Sequence, residues 1–136
     1  MSTPPFEHRI RVRYAEVDGQ GVVFNAHWLT YFDETCTRFV GSWGLGDDFW
    51  INHFDVMLVK AVLEWSGPAR FDEWIAITAE TARVGTKSFD VRYRASVDDQ
   101  PACEAVITYV AVKPGTTASI EIPDEVREVL TDRIGQ

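Results

Sequence analysis

The apolar positions of this 136-residue chain change period several times, and each change marks an element. Over residues 7 to 15, Ile10, Val12 and Tyr14 alternate with Arg9, Arg11 and Arg13, which predicts a half-buried strand. From about Asn25 to Trp43 the spacing lengthens to three and four. Trp28, Phe32, Cys36, Phe39 and Trp43 form one stripe, and Leu29 and Val40 widen it. That predicts an amphipathic helix with a broad apolar face, roughly 28 Å long at 1.5 Å per residue. Gly41 and Gly44 predict its end.

After an irregular connection over residues 45 to 54, alternation returns. Met57, Val59, Ala61, Leu63 and Trp65 line one face of a strand that stops at Gly67-Pro68. Residues 71 to 84 continue as strand, with Trp74, Ile75 and Ile77 as its apolar weight. Phe89, Val91, Tyr93, Ala95 and Val97 then alternate with polar residues, among which Arg92 and Arg94 read as a solvated sheet face. A turn at Asp98-Asp99-Gln100-Pro101 leads to a strand over residues 102 to 112 that stops at Pro114-Gly115. A short last helix starts at Pro123-Asp124, with Val126, Val129 and Leu130 as its stripe. Consecutive strands on short turns are mostly antiparallel, and one long helix against such a sheet is an α+β layer architecture. No repeat, low-complexity tract or linker interrupts the series, so residues 1–136 read as a single domain.

Composition narrows the classes of function. Hydrophobic residues at 46% and charged residues at 25% belong to a globular chain. A net charge of −8 argues against a nucleic-acid partner that depends on a broad basic surface, but leaves room for an anionic ligand on a local basic patch. The first residues lack an apolar stretch, and no run approaches the ~20 apolar residues of a membrane span. A cytoplasmic protein with no membrane insertion is expected. Cys36 and Cys103 sit in periodic segments and read as small apolar residues rather than a disulfide.

Candidate chemistry concentrates between Tyr14 and Phe32. Asp18 lies in a turn bearing Gly19 and Gly21, seven positions before Asn25, which opens the predicted helix. The pattern brings a carboxylate near the unpaired N–H groups of a helix N-terminus. Such amides suit a carbonyl oxygen that gains charge, and a carboxylate suits attack on that carbonyl, so the pairing points to acyl transfer or hydrolysis.

The string Arg13-Tyr14, Asp18, Gly21-Val22-Val23-Phe24 and Trp28-Leu29-Thr30-Tyr31-Phe32-Asp33 resembles the signature of the 4-hydroxybenzoyl-CoA thioesterase family. These are hotdog-fold acyl-CoA thioesterases that include the Tol-Pal-associated enzymes. The resemblance implies a hotdog fold, hydrolysis of an acyl-CoA to a carboxylic acid and free CoA, and a homodimer or homotetramer whose sites include both subunits. It implies that Asp18 is catalytic, as nucleophile or as general base, and that the Asn25 amide is the oxyanion donor. Gly21, Val22 and Val23 are the substrate-binding residues beside them. Many relatives carry His where this chain has Asn25, so a histidine-assisted route is not available at that position. Arg83-Val-Gly85-Thr-Lys87-Ser88-Phe89 resembles the family segment near the pantetheine arm and CoA phosphates, which makes Lys87 and Ser88 candidate ligand contacts.

Other residues carry blander expectations. Glu16 reads as a solvated acid, and His27 as a packing residue, since helical rotation turns it about 200° away from position 25. His8 and His53 stand apart from the motif. No Cys/His/Asp grouping has metal-ligand spacing, so neither a catalytic metal nor a cofactor is expected. Met57, Leu63 and the helix aromatics read mainly as core, with an acyl pocket as their other use. The rival functions are a non-catalytic acyl-CoA binding module, and a hydroxyacyl dehydratase on the same fold, which would want a His cooperating with a carboxylate.

Overall fold

In β4 (Ser88–Val97) the residues Phe89, Val91, Tyr93, Ala95 and Val97 are all buried, while the residues between them face the other way. This period of two sets a sheet with one covered face. The computed structural model describes residues 5–46 and 54–135; His53 and most of the expected 45–54 connection lie outside them. The other strands are β1 (Phe6–Arg11), β2 (Asp55–Trp65), β3 (Trp74–Val84) and β5 (Gln100–Val112). They pair antiparallel in the order β1-β3-β4-β5-β2.

One helix, α1 (His27–Gly41), covers the sheet with Trp28, Phe32, Cys36 and Phe39, all buried. Phe32 meets Tyr93 of β4 at 5.3 Å between ring centroids, and Phe89 stacks on Tyr109 of β5 at 5.4 Å. A second helix, α2 (Asp124–Asp132), buries Val126 and Leu130. This is the α+β arrangement of the sequence reading: a five-stranded antiparallel sheet laid on one long helix.

Four local expectations are corrected. The first strand ends at Arg11, and Tyr14, expected inward, is 78% exposed because Tyr14–Glu16 turns into a 3-10 helix. Leu29 does not widen the helix stripe; it is 41% exposed. Met57 and Ala61 lie on opposite faces of β2, because a bulge between Leu58 and Lys60 inserts one residue and flips the alternation. Residues 71–73 are a turn with Asp72 at φ 69°, so β3 starts at Trp74, whose exposed ring lies under the guanidinium groups of Arg9 and Arg11 at 5.1 and 5.8 Å.

Candidate active site

Glu16 is the buried acid at the centre of the motif, only 7% exposed, which overturns its reading as a solvated residue. Its Oε1 accepts the Arg13 backbone N–H at 2.8 Å and the Tyr31 hydroxyl at 3.0 Å. Its Oε2 accepts the Arg13 guanidinium at 3.1 and 3.3 Å. A buried carboxylate is costly unless it is paired and hydrogen-bonded, and these partners meet that requirement. Burial alone would push the Glu16 carboxyl up; the Arg13 amide and guanidinium and the Tyr31 hydroxyl outweigh it and hold it below the ordinary glutamate value. Burial, and then the bond to Glu16, push the Tyr31 phenol upward, so it stays a protonated donor.

From Glu16 the chain enters a tight hairpin. Val17 bridges Val23, the Asp18 N–H donates to the Val22 carbonyl at 2.8 Å, and the Gly21 N–H donates to the Asp18 carbonyl at 2.9 Å. Gly21 closes the turn at φ 77°, a conformation that glycine adopts without penalty. Asp18 Oδ1 accepts the Gln20 N–H at 2.8 Å, which aims the carboxylate across its own turn. The hairpin's return strand ends at Phe24, whose N–H donates to the Glu16 carbonyl at 3.0 Å.

Asn25 follows at once. The helix cap is Ala26, which has no side-chain acceptor to offer, and the first helical residue is His27. Among the described residues, the Asn25 and Ala26 amides donate to no protein acceptor, whereas the His27 and Trp28 amides close onto Phe24 and Asn25. Two free N–H groups therefore stand at the positive end of α1, on the chain that leaves the Asp18 hairpin. His27 is half-buried with its ring 5.9 Å from that of Phe24.

Gly21, Val22 and Val23 belong to the same hairpin as Asp18; Val22 bridges Arg70, and the Val23 N–H donates to the Ala69 carbonyl, so the hairpin sits at the entry to β3. Lys87 and Ser88 lie past the far end of that strand, Lys87 in the β3–β4 turn and Ser88 as the first residue of β4. Eleven residues of β3 separate the two groups, about 33 Å at the usual rise. One protomer does not bring them together. The Ser88 hydroxyl accepts the Arg83 guanidinium at 2.8 Å, which also grips Asp90.

A cleft of about 350 Å³ opens beside Glu16, between β1 and α1, lined among others by Arg13, Tyr31, His8 and Glu34. His8 pairs with Glu34 there at 2.8 Å, so it is tied to α1 rather than isolated. A larger cleft of about 530 Å³ on the outer face, near Trp74 and Asp98, contains none of the motif. On the same face Arg92 and Arg94 are not simply solvated: both pair with the buried Glu80, at 3.5 and 2.8 Å, and both approach Glu104. Cys36 and Cys103 are free and buried. Among the described residues no helix is long and apolar enough to cross a membrane.

The family model of the thioesterase superfamily matches residues 20–104, well over half of the chain. The chain belongs to the thioesterase superfamily. The match opens two residues after Asp18 and takes in Gly21–Val23, α1, β2, β3 and β4. A protein of Aquifex aeolicus is 30% identical over 129 residues, covering 94% of this chain and 99% of its own length. The acyl-CoA thioester hydrolase YbgC of Escherichia coli O6:H1 is 25% identical over 116 residues, covering 84% of this chain and 87% of its own. The solved 1,4-dihydroxy-2-naphthoyl-CoA thioesterase of Synechocystis superposes with a TM-score of 0.81 at 20% identity, covering 95% and 97%, a likeness of fold. The hotdog architecture of this superfamily is thus the one seen here.

Sequence reasoning missed the Arg13–Glu16–Tyr31 group. One signal for it was present: an acid three residues after Arg13, at the spacing of a capping box, although Arg13 replaces the usual Ser or Thr.

Proposed function

We propose that this chain is an acyl-CoA thioesterase, with Asp18 as the catalytic carboxylate and the free amides at the start of α1, Asn25 first, as oxyanion donors. The observation that supports it best is their common mounting. Asp18 and Asn25 flank the two arms of one short hairpin, stitched by the Asp18–Val22 and Phe24–Glu16 bonds.

A thioester carbonyl held against the Asn25 and Ala26 amides gains charge on oxygen as it is attacked, and preorganised donors stabilise that charge. Asp18 serves in one of two ways. As nucleophile, its oxygen bonds the carbonyl carbon, the C–S bond breaks, the CoA thiolate leaves, and water later cleaves the mixed anhydride. As general base, it takes a proton from water, the hydroxide adds to the carbonyl, and collapse expels the thiolate, which takes up the proton. Gly21, Val22 and Val23 would flank the acyl group. Asn25 has a side chain that does not titrate, so neither route relies on it for proton transfer.

We also propose that residues 1–136 act as one domain within a homo-oligomer. β2 is an edge strand whose neighbours on one side are vacant among the described residues, and Leu58, Val59, Val62 and Trp65 along it are exposed. Such an edge favours pairing with another strand. Antiparallel pairing of two β2 strands about a two-fold axis sets the Trp65 end of one beside the Asp55 end of the other. The partner's Lys87 would then lie toward the Asp18 end of this protomer, so phosphates and thioester would be bound from two copies.

The test is thiol release from short, medium, long and aromatic acyl-CoAs by native protein and by Asp18→Asn. The proposal expects turnover that falls at least ~100-fold in the folded variant, in the range known for loss of a catalytic group. Turnover unaffected by the change removes Asp18 from the mechanism. Binding of acyl-CoA without any turnover moves the protein to the binding-module class.

A further inference from the structure

We propose that Tyr31, acting through Glu16, is a positioning residue that sets the distance between Asp18 and the α1 amides. This deepens the reading above and rests on Asp18 carrying the chemistry. The geometry has three parts. Glu16 stands two residues before Asp18, and its backbone carbonyl takes the N–H of Phe24, one residue before Asn25. Its carboxylate takes the hydroxyl of Tyr31, one turn inside α1. Glu16 therefore holds the hairpin base at both ends: to the strand that enters the helix, and to the body of the helix itself.

Tyr31 is the one contact among these that ties the Glu16 side chain to α1. The Arg13 bonds are local, between residues three apart, and the Arg13 side chain is largely exposed. The Tyr31 hydroxyl is buried, and Glu16 is its hydrogen-bond partner among the described residues. A burial this costly for an acid makes little sense as a surface pair, whose contribution is small. It makes sense as a clamp, because misplacement of a reacting group by about 1 Å costs ~100-fold in rate. Without the Tyr31 bond, Asp18 would still be present and still be hydrogen-bonded to Gln20, yet would swing with its hairpin against the helix terminus.

Tyr31→Phe removes only the hydroxyl and keeps the ring that packs edge-on to Trp28 at 5.6 Å. The expected result is a kcat at least ~10-fold lower with KM within ~2-fold, since ground-state binding is untouched. In an Asp18→Asn background the same change should cost less than ~2-fold, because the group it positions is gone. Backbone hydrogen exchange gives a readout free of turnover: the Gly21 and Phe24 amides should exchange at least ~10-fold faster in Tyr31→Phe and in Glu16→Gln, while β4 amides do not change. Equal losses in native and Asp18→Asn backgrounds, or unchanged exchange of Gly21 and Phe24, overturn the clamp. So does a native kcat in Tyr31→Phe when Asp18→Asn is inactive, and that outcome leaves Asp18 in place. Turnover insensitive to Asp18→Asn overturns both readings together.

Discussion

The hydroxyls of Tyr93 and Tyr109 meet at 2.7 Å between β4 and β5, on the face that α1 covers. Both rings are buried, and the Cys36 thiol of α1 faces them, so a small polar group is sealed in an otherwise apolar layer. Removing one hydroxyl leaves the other with only the weakly bonding Cys36 thiol. Tyr109→Phe should lose about 1–3 kcal/mol of stability, and the double change Tyr93→Phe/Tyr109→Phe should lose less than the sum of the two single losses. Urea unfolding of the three variants measures this; strictly additive losses would show that the hydroxyls are not coupled.

Two carboxylates make the acid limb of stability. Glu16 and Asp90 are both held below their ordinary values: burial pushes each up, but Arg13 and Tyr31 outweigh it for Glu16, and Arg83 and Thr108 outweigh it for Asp90. A depressed folded-state value means the unfolded chain binds protons first, so each group stabilises the fold above its ordinary value and loses that contribution as pH falls through the folded one. The ordinary values are 4.5 and 3.8. Stability should therefore drop steeply below about pH 4.5, and Glu16→Gln or Asp90→Asn should flatten that limb. Denaturant midpoints read from pH 6 downward check it; parallel curves for native and variants would reject the assignment.

The β4–β5 turn carries avoidable strain. Asp98 and Asp99 sit at φ 49° and 63°, the backbone of a two-residue hairpin turn that favours Asn-Gly. Asp99→Gly should raise stability by up to about 1 kcal/mol, since the left-handed region costs other residues roughly 1–2 kcal/mol. Gly21→Ala should do the reverse, because that glycine is at φ 77°. Thermal melts settle the sign of each change.

The exposed β2 edge predicts an oligomer. Light scattering at micromolar concentration should report at least a dimer for native protein, and Val59→Lys with Val62→Lys should shift it toward monomer by placing like charges along the edge. Acyl-CoA turnover should fall with it if Lys87 and Asp18 act from different copies. A native protein that scatters as a monomer would remove this arrangement.

What was legible in the sequence was whatever depends on periodicity alone. The stripe Trp28, Phe32, Cys36 and Phe39 and the alternation of β4 need only a covered and an uncovered face. Met57 was misplaced because a bulge carries no compositional mark, and one inserted residue reverses every assignment before it. Glu16 was misread because its burial depends on Tyr31, fifteen residues away, and a single carboxylate gives no period. The hairpin of Asp18 was visible from its glycines. That Lys87 stands at the opposite end of the sheet was not, because strand direction emerges only when β3 is paired.

The two margins of the sheet are unlike. β1 is six residues long, presents Glu7, Arg9 and Arg11 outward, and hands over to the chain's end where Thr81 bridges Ile134. β2 is eleven residues long and exposes Leu58, Val59, Val62 and Trp65 beside Lys60 and Glu64. A chain whose two margins matched each other could stack head to tail without limit, as fibres do. Here one margin is short with charges on its outward side and the other exposes Leu58, Val59 and Val62, so the two do not complement each other as a head-to-tail contact requires. Fibre-like growth is thereby disfavoured by the asymmetry between Arg9 on one rim and Val59 on the other.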